Sequence, residues 1–60
     1  MPIIQVTLVE GRDDAVVANF IKEIAQTASR TLDAPLSTVR VMVNSLPPTH
    51  FAVGDKLKSE

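Results

Sequence analysis

Sixty residues with six Lys/Arg, seven Asp/Glu and one His give a formal net charge of −1 and room for one small domain, residues 1–60. The absence of cysteine excludes disulfides, and the single His50 leaves a structural zinc site without its usual ligands. With no basic run, no Trp or Tyr and only two Phe, the ordinary nucleic-acid surfaces are excluded as well. The apolar runs last only a few residues, so no membrane span is expected, and no basic region followed by an apolar core opens the chain, which makes a cytoplasmic protein the expectation. A chain this short buries only ~60% of its unfolded surface. Yet 45% of its residues are hydrophobic and the mean hydropathy is +0.17. Without disulfide or metal, self-association is the expected source of stability.

Ile3 to Val9 reads IIQVTLV, with Ile4, Val6 and Leu8 on one face and Gln5 and Thr7 on the other, the pattern of a strand with one buried side. Glu10-Gly11-Arg12 breaks it, and Asp13-Asp14 place negative charge where the positive end of a helix favours it. Val17, Phe20, Ile21, Ile24, Ala28 and Leu32 then recur at helical spacing, with Asn19, Lys22, Glu23, Gln26 and Arg30 on the far side. This predicts an amphipathic helix of about five turns. It ends near Asp33, because Pro35 excludes helical geometry for Ala34. Val39 to Asn44 alternates again, with Val39, Val41 and Val43 inward and Arg40, Met42 and Asn44 opposite.

Pro47-Pro48 stops that strand, and Thr49 to Glu60, polar apart from Phe51, Ala52, Val53 and Leu57, is expected to form a short arm or hairpin that packs on a neighbouring subunit. The predicted fold class is α+β: a single right-handed β-α-β subunit with parallel strands and a C-terminal arm. Two parallel strands under one helix leave both strand edges and one sheet face in water, so edges and faces are expected to pair between subunits.

The sequence has no Gly-rich phosphate loop, no serine elbow and only two glycines, Gly11 and Gly54. Two features remain that could carry chemistry. Methionine before a small residue such as proline is commonly removed, which would leave Pro2 with a free secondary amine. That amine is basic and nucleophilic, and an apolar pocket beside cationic groups favours its neutral, useful form. The plain alternative is that proline only begins a strand, where its missing N–H does no harm. The second feature is a pair of arginines. Arg40 interrupts a valine-rich strand and Arg12 sits in the turn after the first strand, where guanidinium groups suit a carboxylate-bearing substrate. Alternatively, Arg40 lies on a solvated sheet face and Arg12 pairs with Glu10 or Asp14.

Met1-Pro2 before an apolar strand, Leu8-Val9-Glu10-Gly11-Arg12, Leu32-Asp33-Ala34-Pro35-Leu36-Ser37-Thr38-Val39-Arg40-Val41, and His50-Phe51 with Gly54 together resemble the 4-oxalocrotonate (2-hydroxymuconate) tautomerases of the tautomerase superfamily. The resemblance runs over essentially the whole chain. It implies a homohexamer arranged as a trimer of dimers and an isomerase of aromatic hydrocarbon catabolism that uses no cofactor and no metal. It matches the general base to Pro2 and the two carboxylate-handling arginines to Arg12 and Arg40, supplied by neighbouring subunits. Phe51 matches the apolar wall that depresses the proline pKa, and Ser37 is carried as a further substrate-binding position. The implied substrate is a small dicarboxylate or 2-oxo acid: the proline moves a proton from the 2-hydroxyl of 2-hydroxymuconate to carbon 5.

The family's Gly-rich stretch after the phenylalanine reads Phe51-Ala52-Val53-Gly54-Asp55 here, which puts different residues into the arm. His50, the only imidazole, is not needed by this chemistry and is expected as an exposed loop residue or in an intersubunit hydrogen bond. Ser37 and Thr38 could line the pocket or satisfy backbone groups in the turn after Pro35. Two other readings stand beside the tautomerase. A retained Met1 makes Pro2 an amide and favours a non-catalytic partner subunit of a hetero-oligomer. A 3-haloacrylate dehalogenase needs a carboxylate to activate water, and Phe51 to Gly54 holds none, leaving only Asp55.

Overall fold

A computed structural model describes residues 1–60. The chain runs β1 (Ile3–Val9), α1 (Asp14–Leu32), a 3-10 turn (Leu36–Thr38), β2 (Arg40–Leu46), a second 3-10 turn (Pro48–His50), β3 (Ala52–Val53) and β4 (Lys56–Leu57). β1 and β2 are parallel, in register from Ile3 opposite Arg40 to Val9 opposite Leu46. The α+β, β-α-β architecture expected from the hydropathy pattern is the one observed, and none of its helices is long and apolar enough to cross a membrane.

Period-two alternation sets the sheet faces. Ile4, Val6, Leu8, Val41 and Val43 are half-buried beneath α1, while Ile3, Gln5, Thr7, Arg40, Met42 and Asn44 are exposed on the open face. The helix begins at Asp13, whose carbonyl accepts the N–H groups of Val16 and Val17 at 3.0 and 3.2 Å. The Asp13 side chain makes no capping bond, so the acidic pair acts on the helix through its field alone. The other end is locked. Asp33 adopts the left-handed conformation (φ 53°, ψ 46°), the Ala34 N–H donates to the Ser29 carbonyl, and the Ser29 hydroxyl donates back to the Ala34 carbonyl at 2.6 Å.

β2 starts one residue later and ends two residues later than the Val39–Asn44 expected from alternation. Val39 keeps its inward phase, but its N–H donates to the Leu36 carbonyl and closes the 3-10 turn instead of joining the sheet. At the far end Ser45 and Leu46 pair with Leu8 and Val9, and the Glu10 N–H extends the ladder to the Leu46 carbonyl. The arm is a hairpin, with Ala52 opposite Leu57 and Val53 opposite Lys56. Its two-residue loop needs a positive φ only at Gly54 (64°), so one glycine suffices and Asp55 fits without strain.

The single chain does not close around a core. Its radius of gyration is 14.3 Å, against ~10 Å for a compact chain of this length. It exposes 4662 Å², against ~3,800 Å² for a folded monomer of this mass. Ala28 alone is buried. Phe20 and Leu32, expected in the core with Val17, Ile21, Ile24 and Ala28, stay 37% and 62% exposed. The reason is width: strands ~4.8 Å apart cannot cover the whole apolar stripe of a helix ~10 Å across. The uncovered stripe lines an open trough of about 480 Å³ between Ile4, Phe20, Ile24, Ala28, Leu32 and the polar Glu23, Thr27 and Thr31.

Candidate active site

At the N-terminal end of the ladder Pro2 is half-buried and Arg40 is exposed. The Arg40 N–H donates to the Pro2 carbonyl at 2.9 Å, which fixes the two residues side by side. The Arg40 guanidinium Nη1 donates to the Ser37 carbonyl at 2.9 Å. That carbonyl belongs to a turn closed by the Thr38 N–H and the Thr38 hydroxyl, both donating to the Pro35 carbonyl, at 2.9 and 2.7 Å. A guanidinium carries five N–H donors, so one bond to Ser37 leaves four for an anion. Ser37 is thus tied to Arg40 through its main chain. No residue type advertises that role, because every residue has a carbonyl.

Arg12 stands at the other end. It follows Gly11, whose φ of 136° is a conformation other residues rarely adopt, and its Nη1 donates to the Val9 carbonyl at 3.3 Å. It borders two clefts. One, about 210 Å³, is lined by Leu8, Val9, Glu10, Gly11, Arg12, Asp14, Val17 and Ser45; the other, about 170 Å³, by Leu8, Arg12, Val16, Val17 and Phe20. Phe51 is half-buried just ahead of β3, and its carbonyl accepts the Lys58 N–H at 2.8 Å. His50 is exposed, its N–H donated to the Pro47 carbonyl to close the second 3-10 turn.

The structure thus links Pro2, Ser37 and Arg40 through hydrogen bonds and places Arg12 at the other end of the strand. Seven strand residues at ~3.3 Å each separate the ends of β1 by about 20 Å, too far for one small diacid to touch Pro2 and Arg12 of the same chain. No group of three His, Cys, Asp or Glu side chains is placed to share a metal ion.

This fold has known counterparts. A family model described as "Tautomerase enzyme" matches residues 2–60. A 2-hydroxymuconate tautomerase of Stutzerimonas stutzeri is 44% identical over 54 residues, covering 90% of this chain and 86% of the relative. One from Pseudomonas putida is 42% identical over 60 residues, covering 100% and 95%. Among solved structures, a heterohexamer 4-oxalocrotonate tautomerase from Chloroflexus aurantiacus J-10-fl superposes with a TM-score of 0.95 at 32% identity, covering 100% of this chain and 97% of its own. The chain belongs to the tautomerase family, and with 2-hydroxymuconate tautomerases as its relatives it is an isomerase of the 4-oxalocrotonate tautomerase kind.

Proposed function

We propose that this isomerase converts 2-hydroxymuconate-type dienols into conjugated 2-oxo-3-enoates, with the amine of Pro2, freed by removal of Met1, as the general base. The observation that carries the proposal is the junction at the start of the sheet, where the Arg40 N–H holds the Pro2 carbonyl and the Arg40 guanidinium is held by the Ser37 carbonyl. A proton shift of this kind needs a base that is neutral at working pH, a cation where enolate charge develops, and little water. Pro2 takes the proton of the 2-hydroxyl. The C2–O bond becomes a carbonyl, the C2–C3 double bond moves to C3–C4, and the electrons of the former C4–C5 double bond receive the proton at C5. Atoms and charge balance, and nothing else is consumed.

Arg40 binds the 2-oxo and adjacent carboxylate side and draws off the developing charge, while Arg12 holds the distal carboxylate and Phe51 supplies the apolar wall. Because about 20 Å separates the two ends of one strand, Arg12 comes from a neighbouring subunit; the resemblance implies a neighbouring subunit for the arginine matched by Arg40 as well, and Arg40 of the same chain lies at the Pro2 end. The uncovered stripe of Phe20 and Leu32 and the exposed Val53 and Leu57 of the arm are surfaces an assembly of this kind would bury. A homohexamer satisfies both requirements, and the pathway reading is breakdown of aromatic hydrocarbons.

The test follows the ultraviolet absorbance of 2-hydroxymuconate on adding protein whose intact mass shows loss of Met1. Rapid ketonisation is expected. A rate at background overturns the substrate, and native mass spectrometry showing no stable homo-oligomer would turn the reading toward an unlike partner subunit.

A further inference from the structure

Arg40 is the last residue of a six-residue segment that is bonded at its start, middle and end. A 3-10 turn of three residues is a weak element, because its hydrogen bonds are poorly aligned and it cannot propagate. Here it has two backbone bonds, from the Thr38 N–H to Pro35 and from the Val39 N–H to Leu36. The Thr38 hydroxyl adds a third, at 2.7 Å, to the same Pro35 carbonyl that its own N–H already reaches. Pro35 has its φ fixed by its ring at −57°, which limits the freedom of the turn at its first residue. The turn so braced presents the Ser37 carbonyl to the Arg40 guanidinium at 2.9 Å. The Arg40 N–H, bonded to Pro2, closes the segment against β1.

We infer that Thr38 is a positioning residue. Its hydroxyl bonds to Pro35 and not to the arginine, and it braces the turn whose carbonyl selects one guanidinium rotamer of Arg40. A long side chain otherwise samples many rotamers, and only one of them faces the reacting end of the substrate. This inference rests on the tautomerase reading above, in which Arg40 is the clamp on the developing charge.

Thr38→Val keeps the β-branched shape and removes the hydroxyl, and Thr38→Ser keeps the hydroxyl. With Met1-free protein and 2-hydroxymuconate, Thr38→Val should lower kcat about three- to tenfold, the scale of one lost hydrogen bond, with KM changed less. Thr38→Ser should restore the rate. In an Arg40→Ala background the same Thr38→Val change should have no further effect, because the group it acts through is gone. Equal losses in both backgrounds, or no loss with Arg40 present, overturn the inference.

A second readout does not depend on turnover. In 15N-labelled protein, the guanidinium resonances absent from Arg40→Ala identify Arg40. Thr38→Val should shift and average them while leaving those of Arg12 in place, and unchanged Arg40 resonances reject the inference even if the rate falls. Should 2-hydroxymuconate not turn over at all, the function reading fails while these resonances still decide the positioning role. Thr38→Ala, which asks less of the turn backbone, serves if Thr38→Val does not fold.

Discussion

Each end of the β1–β2 ladder carries one arginine, and the two are held differently. Arg40 is tied by its main chain to Pro2 and by its guanidinium, at 2.9 Å, to a turn with a hydroxyl brace. Arg12 rides on a turn built around Gly11, with a single longer bond of 3.3 Å to Val9 and two clefts beside it. Rigidity therefore lies at the end where the proton would move, and adaptability at the end where a distal carboxylate would only be gripped. This is the division expected when transition-state stabilisation needs preorganised dipoles and ground-state recognition does not.

Five substitutions would break or sharpen that contrast. Pro2→Ala removes the base and should cut kcat/KM by about 10²–10⁴; an unchanged rate of ketonisation would end the proton-shuttle assignment. Phe20→Ala attacks the contrast from outside, since in the proposed site the two ends meet between chains. It should cost about 3 kcal/mol and loosen assembly, seen as a lower Tm and a smaller native mass; if both stay put, the helix stripe is not an interface. Arg40→Ala should lower kcat about 10²-fold. Arg12→Ala should instead act mainly on KM, raising it about tenfold with kcat nearly kept. A steady-state comparison in which these two profiles are exchanged would reverse the roles of the ends. Gly11→Ala forces a side chain into a φ of 136° and should cost about 1–3 kcal/mol in thermal unfolding. Any accompanying rise in KM would tie that turn to the grip of Arg12.

The fold was legible because its periodicities are clean. Ile4, Val6 and Leu8 against Gln5 and Thr7 specify a one-sided strand, and Pro35 closes the helix that Val17, Ile21, Ile24 and Ala28 define. Alternation misjudged the ends of β2, because a residue can keep the inward phase, as Val39 does, while its N–H serves a turn. Phe20 and Leu32 belong to the same apolar stripe as Ala28, but a two-stranded sheet is too narrow to cover them. A hairpin in the arm agrees with the sequence, but that Gly54 alone supplies its turn depends on one backbone angle.

Of the candidate site residues, Pro2, Arg12 and Arg40 could be singled out from residue chemistry, and Phe51 only from the resemblance to the tautomerases. Their spatial division could not. That Pro2 and Arg40 are neighbours follows from a parallel register in which Ile3 meets Arg40, and that Arg12 lies at the opposite end follows from the length of the same strand. Residue types therefore determined which groups are available and which faces are apolar, since charge, basicity and hydropathy are properties of side chains alone. Strand register, main-chain carbonyls such as that of Ser37 and the reach of one subunit are properties of the folded backbone, so only the tertiary structure decided which groups can act together.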